Sequence, residues 1–83
     1  MEEMIKCIGA IANTAAKEER ILKTSEVAEI INKSGFISAT GDPYVKVDLF
    51  IRQAYEKFSN SDKETASNIK LCFETRAGEP VIK

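Results

Sequence analysis

Residues 24 to 58 constrain this chain more than any other stretch, because they carry the start and stop signals of two successive helices. A hydroxyl at Thr24 or Ser25 can accept a hydrogen bond from an orphan N–H of a helix first turn. Glu26 follows where the helix dipole favours an anion, and Lys33 stands in the last turn where it favours a cation. Val27, Ile30 and Ile31 form the apolar stripe. Gly35 suits the left-handed position just past the end, and Phe36 suits the hydrophobic position after it. These signals predict a helix over about residues 25–34. Asp42-Pro43 then opens a second, longer helix: Asp42 is a good N-cap, and proline at the first helical position forfeits no hydrogen bond.

The second helix takes its period from Tyr44, Val47, Ile51, Ala54 and Phe58, with Phe50 beside them. From Tyr44 to Leu49 the chain also alternates apolar and polar residues, which is a strand pattern. The continuation from Arg52 to Lys57 favours the helix. Between the two helices, residues 36–42 form a connector containing Ser38, Thr40 and Gly41.

Ahead of this pair, Met4, Ile5, Ile8, Ile11, Ala12 and Ala15 recur at three- and four-residue steps. They mark one face of an amphipathic helix over about residues 2–18. Gly9 and Asn13 weaken it. Its apolar edge is a core-packing face or a dimerisation face. Glu18, Glu19 and Arg20 make a charged shoulder. Ile21 and Leu22 then read as a helix end or a short strand leading into the next helix.

Behind the pair, Ser59 to Asp62 is a polar loop, and two readings follow it. Ser61 and Glu64 have capping-box spacing, and Ala66, Ile69 and Phe73 keep a helical period, so a short helix can start at Asp62. Against this, Ile69, Leu71 and Phe73 alternate with polar or small residues as in a half-buried strand. Arg76 to Glu79 reads as a turn, and Pro80-Val81-Ile82 as a returning edge strand that tolerates proline. The hairpin is the favoured reading.

Length and composition narrow the class. The 83 residues make one domain, 1–83, and the 43% hydrophobic content suffices for one core. Mixed charges at 30% fit a soluble globular surface. The opening Met1-Glu2-Glu3-Met4-Ile5-Lys6 is not a signal peptide, and no apolar run approaches the ~18 residues of a membrane span. A cytoplasmic protein without membrane association is expected. Cys7 and Cys72 lack CxxC spacing and the chain has no histidine, so no metal site and no cofactor are expected. Reduced thiols fit better than a disulfide. Without histidine neither cysteine has an evident activating base, and the scattered acidic residues form no acid–base pair. The expectation is that the chain is not an enzyme.

What remains is recognition. The formal net charge is −1, but residues 44–58 form the one net-positive block, with Lys46, Arg52 and Lys57 against Asp48 and Glu56. Arginine and glutamine can make paired hydrogen bonds to guanine and adenine in a major groove. Arg52 and Gln53 are the candidates for base contacts. Lys46 and Lys57 would hold phosphates, and Ser38 and Thr40 would bond phosphate oxygens. Lys70 and Arg76 would lie on the hairpin. Val45, Leu49 and Tyr55 fall outside the buried stripe, which predicts an interface with a second copy or a protein partner.

The run Thr24-Ser25-Glu26-Val27-Ala28-Glu29-Ile30-Ile31-Asn32, then Ser34-Gly35-Phe36, then Val47 to Tyr55, resembles small winged helix-turn-helix DNA-binding proteins of the bacterial, phage and plasmid regulator kind. The resemblance covers about residues 20–83. The connector of about seven residues is longer than the usual turn of about 3–4. The fold expected is mainly α with a small C-terminal β-hairpin; the alternative is an all-α domain of four helices. The resemblance implies a homodimeric regulator or accessory factor that places the helix after Pro43 on double-stranded DNA. The rival reading is a protein-interaction module, an adaptor or inhibitor, with the same layout and no DNA binding.

Overall fold

The computed structural model describes residues 2–33 and 43–82, with only the helical backbone at 43–46. Four helices and two short strands follow in the order α1 (Glu2–Lys17), β1 (Leu22–Lys23), α2 (Thr24–Lys33), α3 (Pro43–Ser59), α4 (Lys63–Cys72) and β2 (Phe73–Glu74). The connector with Ser38 and Thr40, and the stop at Gly35-Phe36, lie outside the described residues.

Helix α1 is the central post of the fold. It packs chiefly on α4 and α3, while α3 also meets α4 and α2. Ile5, Ile8, Ala12 and Ala15 of α1 meet Val27, Ala28 and Ile31 of α2, Val47, Ile51 and Ala54 of α3, and Ile69 of α4 in one core. The α2 stripe is rotated from the expected one. Ala28 is buried and Ile30 lies at the rim, because packing on α3 selects the 27, 28, 31 arc.

Helix α1 stops in a Schellman arrangement. The Glu19 N–H donates to the Ala16 carbonyl at 3.1 Å, and the Arg20 N–H donates to the Ala15 carbonyl at 2.8 Å. Glu19 sits at φ 55°, a position that usually holds glycine. The reversal brings Leu22 into strand β1, so the strand reading of Ile21-Leu22 holds one residue later.

The C-terminal segment corrects the sequence reading. Residues 63–72 are helical, not the first arm of a hairpin. Asp62, rather than Ser61, caps the helix: its carboxylate accepts from the Thr65 N–H at 3.2 Å and from the Thr65 hydroxyl at 2.8 Å. The alternating pattern of 69–73 lost because Ile69 and Cys72 face the core at helical spacing, while Leu71 is 68% exposed. Only Phe73 and Glu74 are extended. They pair in parallel with β1, Leu22 opposite Phe73 and Lys23 opposite Glu74. The expected turn over 76–79 does form. The Gly78 N–H donates to the Thr75 carbonyl, Gly78 has φ 86°, and Pro80 returns as an antiparallel bridge to Glu74. Val81 and Ile82 close the core.

Candidate nucleic-acid interface

On α3, Val47, Ile51 and Ala54 are buried, and Phe50, Tyr55 and Phe58 are half-buried against the core. The helical period therefore leaves Leu49, Arg52 and Glu56 on the outer arc, all exposed. On α4, Thr65, Ala66, Ile69 and Cys72 face inward. Lys63, Ser67 and Lys70, spaced four and three apart, line up on the outer face.

Two shallow depressions meet at Tyr55. One, of 290 Å³, is lined by Tyr55, Ser59, Lys63, Ala66, Ser67 and Lys70. The other, of 400 Å³, is lined by Arg52, Tyr55, Glu56, Val81 and Ile82. Arg52 and Glu56 thus line one depression and Lys63 and Lys70 the other, with Tyr55 common to both. Ser59 donates its hydroxyl proton to the Tyr55 carbonyl at 2.6 Å, which holds its oxygen on this face as an acceptor.

The residues singled out from the sequence divide into several groups. Arg52 and Lys70 share the Tyr55 face, Lys70 from α4 and not from a wing. Gln53 is half-buried one helical step away from that face. Lys57 turns toward α1, where its ammonium donates to Glu2 Oε1 at 3.3 Å. That bond and the Lys57 charge, with Lys6 beside it, hold the Glu2 carboxyl below its ordinary range. Arg76 is exposed in the C-terminal turn. Leu49 is 50% exposed, whereas Tyr55 packs on the core of its own chain. Ser38 and Thr40 lie outside the described residues, as do the side chains of Val45 and Lys46.

Sequence reasoning missed Lys63, Ser59 and Ser67. The spacing 63, 67, 70 would have revealed Lys63 and Ser67 had Asp62 been recognised as the cap of a helix. Both cysteines are free thiols, and burial pushes the Cys72 thiol up. Among the described residues no three Cys, Asp or Glu side chains converge to hold a metal ion, and no helix is long and apolar enough to cross a membrane.

Comparison with known proteins finds no matching family model, no matching curated protein and no matching solved structure.

Proposed function

We propose that this protein binds double-stranded DNA as a regulator or accessory factor, with α3 as the helix that meets the duplex. The observation that carries this reading is the convergence of Arg52, Lys63 and Lys70 around Tyr55, on a chain whose overall charge is −1. Clustering cations on one face of a near-neutral protein supplies local attraction for phosphates without making the whole surface basic. Arg52 offers a planar fork for a phosphate or a guanine edge, and the two lysines act as point charges on neighbouring phosphates. The sequence β1-α2-α3, closed by the turn over 75–79, supports a winged helix-turn-helix-like use of the fold in which α4 packs beside α3 and adds Lys63 and Lys70 to the same face. Leu49, on the same outer arc, is the contact through which two copies would pair on a two-fold site.

The test is binding of a labelled duplex by fluorescence anisotropy over a salt series. Affinity should fall steeply with salt. Arg52→Ala with Lys70→Ala should weaken binding and flatten the salt slope by about two, at unchanged melting temperature. Absence of binding at low salt overturns the reading and leaves the protein-interaction module in its place.

A further inference from the structure

A second surface, sharing no residue with the Tyr55 face, is an open trough between α1 and α2. Its volume is 480 Å³. Cys7, Ala10, Ile11 and Thr14 run along one wall at positions i, i+3, i+4 and i+7 of α1, and Ile30 of α2 stands on the other. Ala10 and Thr14 are exposed, and Ile30 is 37% exposed, so this is an apolar stripe at the surface and not a sealed cavity. Seven residues of helix rise about 10 Å, the span of two turns of a docked helix.

The rim gives the trough a sign. Among the described residues, Glu18, Glu26 and Glu29 line it, with Arg20 as the cation. Arg20 is paired with Glu18 at 3.5 Å, and Glu26 and Glu29 are the other charged residues of the lining. A second copy would bring the same acidic lining, Glu18, Glu26 and Glu29, into the interface and no cation of the trough beyond Arg20 to meet it. We infer that this trough receives an amphipathic helix of a partner protein, its apolar side chains on the Cys7–Ala10–Ile11–Ile30 floor and its basic flanks against Glu26 and Glu29. Helices seat in such troughs through anchors at the same i, i+3, i+4, i+7 spacing, and opposite charge at the rim fixes which helix is accepted.

The experiment uses the full chain and two labelled synthetic helices of identical leucine pattern, one with lysine and one with glutamate at every polar position. The lysine helix should bind at least about tenfold more tightly, the difference shrinking with salt. Glu26→Lys with Glu29→Lys, both exposed, should reverse that preference. Ala10→Trp fills the trough from an exposed position and should remove binding without shifting the melting curve. Equal affinity for the two helices, a preference unmoved by the charge reversal, or binding that survives Ala10→Trp each overturns the proposal. So does self-association that Ala10→Trp abolishes, because the occupant would then be a second copy. Duplex binding is measured on the same variants. Its loss or retention bears on the Tyr55 face alone.

Discussion

Phe58 of α3 rests against Gly9 of α1 so closely that a Cβ on Gly9 would lie 2.8 Å from the ring, with the Thr65 methyl 3.2 Å away on the other side. The glycine is a packing requirement of the α1–α3–α4 junction and not a weak point of α1. Replacing it by alanine recovers about 1 kcal/mol of helix propensity but must displace an aromatic ring, at a typical overpacking cost of about 1–3 kcal/mol. Gly9→Ala should therefore lower stability in urea unfolding by about 1 kcal/mol. In a Phe58→Leu background the same change should become neutral or stabilising, and additive effects would show that the two residues are not coupled.

Glu19 offers the opposite case. It occupies the left-handed region at φ 55° to complete the α1 C-cap, and its side chain is exposed. Glycine adopts that conformation without Cβ strain. Glu19→Gly should raise stability by about 0.5–1 kcal/mol, readable as a higher melting temperature with unchanged circular dichroism. A lowered melting temperature would mean that the Glu19 side chain contributes more than its backbone costs.

Asp62 links stability to acid. Its bonds from the Thr65 hydroxyl and the Thr65 N–H hold its carboxyl below the ordinary 3.8. A depressed folded pKa means that the cap contributes fully above the ordinary carboxylate range. The contribution fades as pH falls through the lowered folded value. Asp62→Asn retains a capping oxygen without a titrating group. Unfolding followed from pH 5 downward should thus show a smaller acid loss for this variant than for the parent chain, and parallel curves would count against the linkage.

Thr65 is 4% exposed and sits at the centre of a polar chain that ties α1 to α4. Its oxygen accepts from Asn13 Nδ2 at 3.1 Å while its proton goes to Asp62, and Asn13 in turn accepts from Asn68 at 2.8 Å. Thr65→Val keeps the shape and removes both bonds. It should cost about 1–3 kcal/mol, since the Asn13 amide loses its acceptor in a partly buried site. Thr65→Ser, which keeps the hydroxyl, should recover most of that loss.

Adjacent positions of α3 should respond in opposite ways. Ile51 is fully buried, and Ile51→Ala should cost about 2–5 kcal/mol by leaving a cavity between α3 and its neighbours. Arg52 is exposed, and Arg52→Ala should change stability by no more than about 0.5 kcal/mol. Only the second should alter binding to a duplex.

The local signals that proved legible are those with a short-range cause. The period of α1, the start of α2, the Pro43 opening of α3 and the Arg76–Glu79 turn depend on side chains within a few residues of the backbone they direct. Asn13 shows where this reading stops: judged locally it weakens α1, yet in the fold it joins α1 to Thr65 and Asn68 across more than fifty residues of chain. The candidate face was half-legible for the same reason. Arg52 stands out because α3 reads clearly. Lys63 and Ser67 do not, because their helix was ambiguous.

The amino-acid sequence by itself determined the first three helices and most of the inward stripes, through periodicity. Tertiary packing decided the rest. Residues 69–72 satisfy both a helix and a strand pattern, and burying Ile69 and Cys72 against α1 and α3 while Phe73 pairs with β1 selects the helix. Packing also set Lys57 on Glu2 and brought Lys63 and Lys70 to the depression lined by Tyr55 of α3. Such pairings depend on how helices distant in sequence are laid together, which no local pattern encodes.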